Sequence, residues 1–150
     1  LEAPQDSARV EPTDDVGREA LYEERFRLAK EISENEELLR RLTERRDNLY
    51  SAQEQVTERQ NLPQAIESAK QETRLLDGRI ARATGVPETE IAAAFTELFR
   101  VSRRLRDLKE SNILPEVIRD AVIAAERDST NAHQRIFQLF RIPEPEGVYR

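Results

Sequence analysis

Between Gly17 and Pro63 the chain carries no glycine and no proline, and Leu21, Leu28, Asn35, Leu42, Leu49 and Val56 recur there every seven residues. Ile32 and Leu39 fall in the partner row, whose other slots hold Arg25, Arg46 and Gln53. A seven-residue apolar repeat lines up one side of a helix for a helical partner. The pattern predicts a single helix running to about Gln60, some 45 residues and ~65 Å at 1.5 Å per residue. A 150-residue chain cannot bury so long a rod inside a compact globule. The expectation is an elongated bundle, an oligomer, or both.

The rest of the chain divides at its own punctuation. Asn61-Leu62-Pro63 stops the long helix, and Pro63 suits the first turn of the next, where its missing N–H costs nothing. Ile66, Ala69, Thr73, Leu76, Ile80 and Ala83 then follow in steps of three and four, up to Thr84-Gly85. Gly85 fits a left-handed helix end. Pro87-Glu88 opens a third helix with Ile91, Phe95, Leu98, Phe99, Val101, Leu105 and Leu108 on one stripe. Ser111-Asn112 ends it, and Leu114-Pro115-Glu116 opens a fourth helix that stops before Pro143. Every connection is short, so successive helices are expected as antiparallel neighbours. The expected organisation is a flexible tail over 1–13, one helical domain over 14–142 and a loose tail over 143–150. The expected fold is all-α, an elongated four-helix bundle whose long first helix forms an antiparallel coiled coil with the second.

Composition narrows the function classes. Charged residues make up 36% and aromatics 5%, which suits a solvated bundle with a thin core. The net charge is −6. Residues 1–60 hold 16 acidic and 10 basic side chains, and residues 61–150 hold 14 of each. Net acidity argues against nucleic acid, because phosphate contacts need a positive surface. No apolar run approaches the ~18 residues of a transmembrane span. The chain has no cysteine, so thiolate chemistry and disulfides are excluded. It opens on Leu1; cytoplasmic residence is favoured over export with a removed signal.

Candidate chemistry is sparse. His133 is the only histidine, too few for a zinc site or a catalytic triad. Glu23, Glu24, Glu31, Glu34, Glu36 and Glu37 read as a solvated face paired with Arg27, Lys30, Arg40 and Arg41 at helical spacings. No catalytic residue, metal or cofactor is expected. Arg100, Arg103, Arg104, Arg106 and Lys109 form one basic cluster, suited to a small anion, an acidic lipid or an acidic helix. Arg18, Arg25, Asn35, Arg46 and Gln53 occupy seam positions, where polar groups either set register or face a hydrated groove.

The run from 38 to 106 resembles the all-helical chorismate mutases. The resemblance rests on LLRRLTERRDNL closing a long helix, the RQNLP loop, and GVPETEIAAAFTELFRVSRRL turning into a third helix. It implies that Arg45, Arg59 and Lys70 correspond to substrate-binding cations, with Glu72 near Lys70. Arg106 stands where that family carries Gln or Glu. Such a cation set implies binding of a small dianion.

The function expected from the residues themselves is non-enzymatic: a scaffold, adaptor or assembly module working through helix faces. A chorismate mutase-like or dianion-binding protein is the alternative, and an acidic-lipid module a third. If the first helix overhangs its neighbours, Leu21, Phe26, Leu28 and Ile32 form an exposed apolar row. A homodimer would be the simplest cover for it. The anion-binding candidates are Arg45, Arg59, Lys70, Arg100, Arg103, Arg104 and Arg106.

Overall fold

The structure, a computed structural model, describes residues 14–43 and 52–144, with the backbone alone for 52–55. Four helices account for nearly all of these residues: α1 (Asp15–Thr43), α2 (Ala52–Thr84), α3 (Glu88–Glu110) and α4 (Pro115–Phe140). The fold is an all-α bundle.

The helix ends follow their local chemistry. The Asp14 carboxylate accepts a hydrogen bond from the Gly17 N–H at 2.9 Å, satisfying one of the donors that a helix start leaves open. Gly85 ends α2 with φ +76°, a conformation that costs glycine little. Pro115 occupies the first turn of α4.

One boundary differs from expectation. The first helix is 29 residues long, ~43 Å, rather than about 45 residues. The next helix, α2, is in place from Ala52, and residues 44–51 lie outside the described residues. Pro63 therefore sits inside α2 instead of opening it. No Gly or Pro marks the end of α1 at Thr43 in the sequence. The heptad breaks with the chain: Val56, expected in the seam, is 53% exposed.

Side-chain pairings set the helix directions. Arg25 meets Asp77, Glu36 meets Lys70, and the Leu42 carbonyl meets Arg59, so α2 descends as α1 rises. Tyr22 packs on Phe95, Phe26 on Phe99, and Ser33 on Arg103, so α1 and α3 run parallel. Glu90 pairs with Arg135 near one end of α3, while the link 111–114 closes the other, so α3 and α4 are antiparallel. The topology is up-down-up-down.

The core lies toward the end where α1 begins. Leu28, Ile80, Ile91, Phe95, Leu98, Ile136 and Phe140 are almost completely buried there. The Tyr22 ring touches Phe137 at 5.2 Å, Phe140 at 5.8 Å, Phe26 at 6.0 Å and Phe95 at 6.4 Å. The contacts to Phe137 and Phe140 are edge-on, a geometry that adds to area burial. Arginines close this end: Arg18 donates to the Phe140 carbonyl at 2.8 Å, and Arg141 donates to the Thr84 carbonyl.

This packing removes the expected overhang. Leu21 and Leu28 are buried, and Phe26 and Ile32 pack partly buried against the core. The row is interior because α3 and α4 lie over the part of α1 where these residues fall. It is not the exposed apolar face expected of it.

The shared core does not extend to the opposite end. It stops near Leu28 on α1, Ala69 on α2, Val101 on α3 and Ala132 on α4. Beyond it, Leu42, Leu62 and Ile66 are buried outside the main core, in the α1–α2 hairpin. In the α3–α4 hairpin only Ala125 is buried beyond that limit; Leu105, Leu108, Ile118 and Val122 are half-buried.

Candidate functional site: a cation-rimmed cleft between the hairpins

A cleft of about 550 Å³ opens where α3 crosses the α1–α2 hairpin. Its apolar wall includes Ala29, Ile32, Ala92, Phe95 and Phe99. Lys70, Arg74, Arg100 and Arg103 also line it, with Glu36 and the buried Arg25–Asp77 pair. Its charge is therefore positive in a chain whose net charge is −6.

The cations are held differently. Lys70 Nζ lies 3.5 Å from Glu36, Arg74 lies 3.4 Å from Glu67, and Arg100 lies 2.6 Å from Glu97. These are exposed pairs, each worth at most about 1 kcal/mol. An incoming anion can exchange such partners at small cost. Arg103 is different. Its guanidinium donates to the Ser33 hydroxyl at 2.7 Å and the Ser33 carbonyl at 3.3 Å. Those partners are neutral, and the nearest negative charge acting on it is Glu37, one turn along α1 from Ser33.

Below the rim, Arg25 Nε donates to Asp77 Oδ1 at 2.6 Å, and both side chains are almost fully buried. The Arg25 guanidinium carbon sits 4.6 Å from the centre of the Phe95 ring. Desolvation pushes the Asp77 carboxyl above its ordinary range, against the opposing pull of Arg25. The largely covered Glu37 carboxyl is held low first by its bond to Arg40, with Arg103 and Arg41 adding to the effect.

The structure gathers Lys70, Arg100 and Arg103 and separates the other anion candidates. Arg59 donates to the Leu42 carbonyl inside the α1–α2 hairpin. Arg104 does not line the main cleft; it lines a shallow groove with Asp107 and Leu108, which Arg100 and Arg103 also border. Arg106 lines a second groove, of about 280 Å³, with Lys30, Glu34 and His133; Arg103 borders this groove too. Arg45 lies outside the described residues. Of the described cations implied by the mutase resemblance, Lys70 lines the main cleft and Arg59 does not.

Ser33, Arg74, Asp77 and the Phe95–Phe99 wall were not expected at a site. Arg25 in an apolar seam slot was the available signal, since a buried guanidinium demands a buried acceptor. The predicted acidic face is present: Arg27–Glu31 and Lys30–Glu34 pair at one-turn spacing. Among the described residues no cluster of three or more His, Asp or Glu could hold a metal ion. No described helix is long and apolar enough to cross a membrane. No family model, curated protein or solved structure matches the chain.

Proposed function

We propose that this protein is a non-enzymatic helical module that binds a small organic anion in the cleft between its hairpins. The observation that carries this reading is Arg103, clamped by neutral Ser33 groups at the mouth of an apolar-walled cavity. A ligand with a flat apolar body would lie on Phe99, Ile32 and Ala29 and present its acid groups to Arg103, Arg100 and Lys70. Two acid–base pairs line the cleft, the buried Arg25–Asp77 and the exposed Lys70–Glu36, and each is engaged as an ion pair, which supports binding without turnover.

The mutase-like reading shares the dianion but not the arrangement of cations, and chorismate belongs in the test only as one ligand among several. Titration calorimetry with isophthalate as the probe tests the proposal, with isophthalamide and acetate as controls. Saturable binding of isophthalate alone is expected. Arg103→Gln should weaken it about tenfold, the equivalent of ~1.4 kcal/mol. Absence of saturable heat, or equal binding by Arg103→Gln, would refute the assignment.

The scaffold reading has support in a different place from α1. The α3–α4 hairpin ends in Ile113, Leu114, Val117 and Ile123, all exposed. If that end is a docking surface, a polar substitution there will abolish partner binding without changing helicity.

A further inference from the structure

Past the Phe26–Phe99 contact, where the rings lie 5.2 Å apart, the facing stripes of α1 and α3 turn polar. There α1 presents Lys30, Ser33 and Glu34, and α3 presents Ser102, Arg103 and Arg106. Spacings of three and four put each set on one face of its helix. Because α1 and α3 run parallel, the two sets lie opposite each other. Charged stripes do not interlock as apolar ones do, and a groove of about 280 Å³ opens between them, with His133 of α4 on its border. Ser33, Phe99 and Arg103 line both this groove and the main cleft, so the two cavities share them as a common wall.

The groove has donors to spare. Arg103 commits one terminal nitrogen, Nη2, to Ser33, and its Nε and other terminal nitrogen have no hydrogen-bond partner among the described residues. The Ser102 hydroxyl has none among them either. Lys30 and Arg106 stand at the exposed rim. Their acids, Glu34 and Asp107, each lie 3.9 Å away, the loose geometry of surface pairs that exchange at small cost. Glu34 is the one acid lining the groove, against the cations Lys30, Arg103 and Arg106. Glu37, the acid acting on Arg103, does not line it.

We infer that this groove is a second binding site, for a phosphoryl group, either as the free ion or as the head of a small phosphomonoester. It goes beyond the cleft reading and does not depend on a ligand there. Three features select the chemistry. The excess of cations matches a group that carries roughly two negative charges at neutral pH. The donors are guanidinium forks, an ammonium and a hydroxyl from two separate helices, an arrangement that suits a tetrahedral acceptor better than a planar carboxylate. The volume is about half that of the main cleft, and Phe26 and Phe99 are the only apolar side chains lining it, which suits a compact polar head and not a flat apolar body.

Amide chemical shifts of the full chain at fixed pH, titrated with inorganic phosphate, locate and measure the binding. Methyl phosphate is the ester arm, and chloride at matched ionic strength is the control. Saturable shifts centred on Ser33, Ser102 and Arg103 are expected with phosphate, with methyl phosphate, or with both, and the tighter of the two identifies the source. Lys30→Gln and Arg106→Gln should each weaken binding about fivefold, and so should Ser102→Ala, which keeps every charge. None of the three residues lines the main cleft, so isophthalate binding should be the same in these variants as in the wild type.

Shifts that chloride reproduces, or that fail to saturate, overturn the site. So does phosphate binding that is lost in Arg103→Gln but untouched by the other three substitutions, since it would then belong to the main cleft. Failure of isophthalate to bind leaves these readings intact, so the two assignments fail separately.

Discussion

Arg25 of α1 and Asp77 of α2 form an ion pair in the interior, Nε to Oδ1 2.6 Å, with 5% and 6% of their side chains exposed. Desolvation costs such a pair most of its Coulombic attraction, so its contribution is to fix register more than to add stability. Slipping α2 along α1 by even one residue would bury two unmatched charges. Asp77→Asn should therefore destabilise by about 3–5 kcal/mol, because Arg25 stays buried and charged. The double change Arg25→Met, Asp77→Leu should cost far less, or nothing. Urea denaturation of the variants checks this, and equal losses in the single and double variants would refute it.

The elements most legible in the sequence were those punctuated by residues with one conformational meaning. Gly85, Pro87 and Pro115 marked helix ends because each restricts or permits a particular backbone angle. The end of α1 at Thr43 was not legible, because no Gly or Pro marks it and the heptad through Leu42, Leu49 and Val56 runs on in phase. The basic cluster was visible as composition. Its division among a cleft, a shallow groove and the His133 groove was not, since that depends on how α3 lies across α1. Ser33 could not be picked out at all: a serine earns its place only when Arg103, 70 residues away, folds onto it.

Leu28 and Val56 occupy the same heptad row and should behave oppositely. Leu28 is 1% exposed in the core, so Leu28→Ala should cost about 2–5 kcal/mol. Val56 is solvent-facing, and Val56→Ala should stay within about 0.5 kcal/mol. Comparable losses at both positions would restore the continuous 45-residue helix.

Pro63 lies well inside α2, where it cannot donate to the Arg59 carbonyl and its ring crowds that group. A proline in a helix interior costs about 3 kcal/mol relative to alanine. Pro63→Ala should raise stability by about 1–3 kcal/mol, less whatever the more flexible unfolded chain takes back. A thermal melt distinguishes the two placements. At a helix start the substitution would leave the melting temperature unchanged or lower it.

His133 gives the fold a defined response to mild acid. Its ring stacks on Phe137 at 6.2 Å, and burial holds its pKa below the ordinary 6.5. Lys30, Glu34, Arg103 and Arg106 border the same groove, so cations outnumber anions around it. The unfolded chain protonates this imidazole as pH falls below about 6.5, while the folded protein resists until a lower pH. The unfolded state then binds more protons, so the stability held above 6.5 is lost as pH falls through the folded value. Asp77 acts in the opposite sense, because its raised pKa favours the folded state as acid is added. The clean measurement is thus a difference: the stability of wild type minus that of His133→Gln, followed by denaturation from pH 7.5 to 5. That difference should shrink steadily as the pH drops. Parallel curves would mean that His133 is as well solvated in the folded protein as in the unfolded chain.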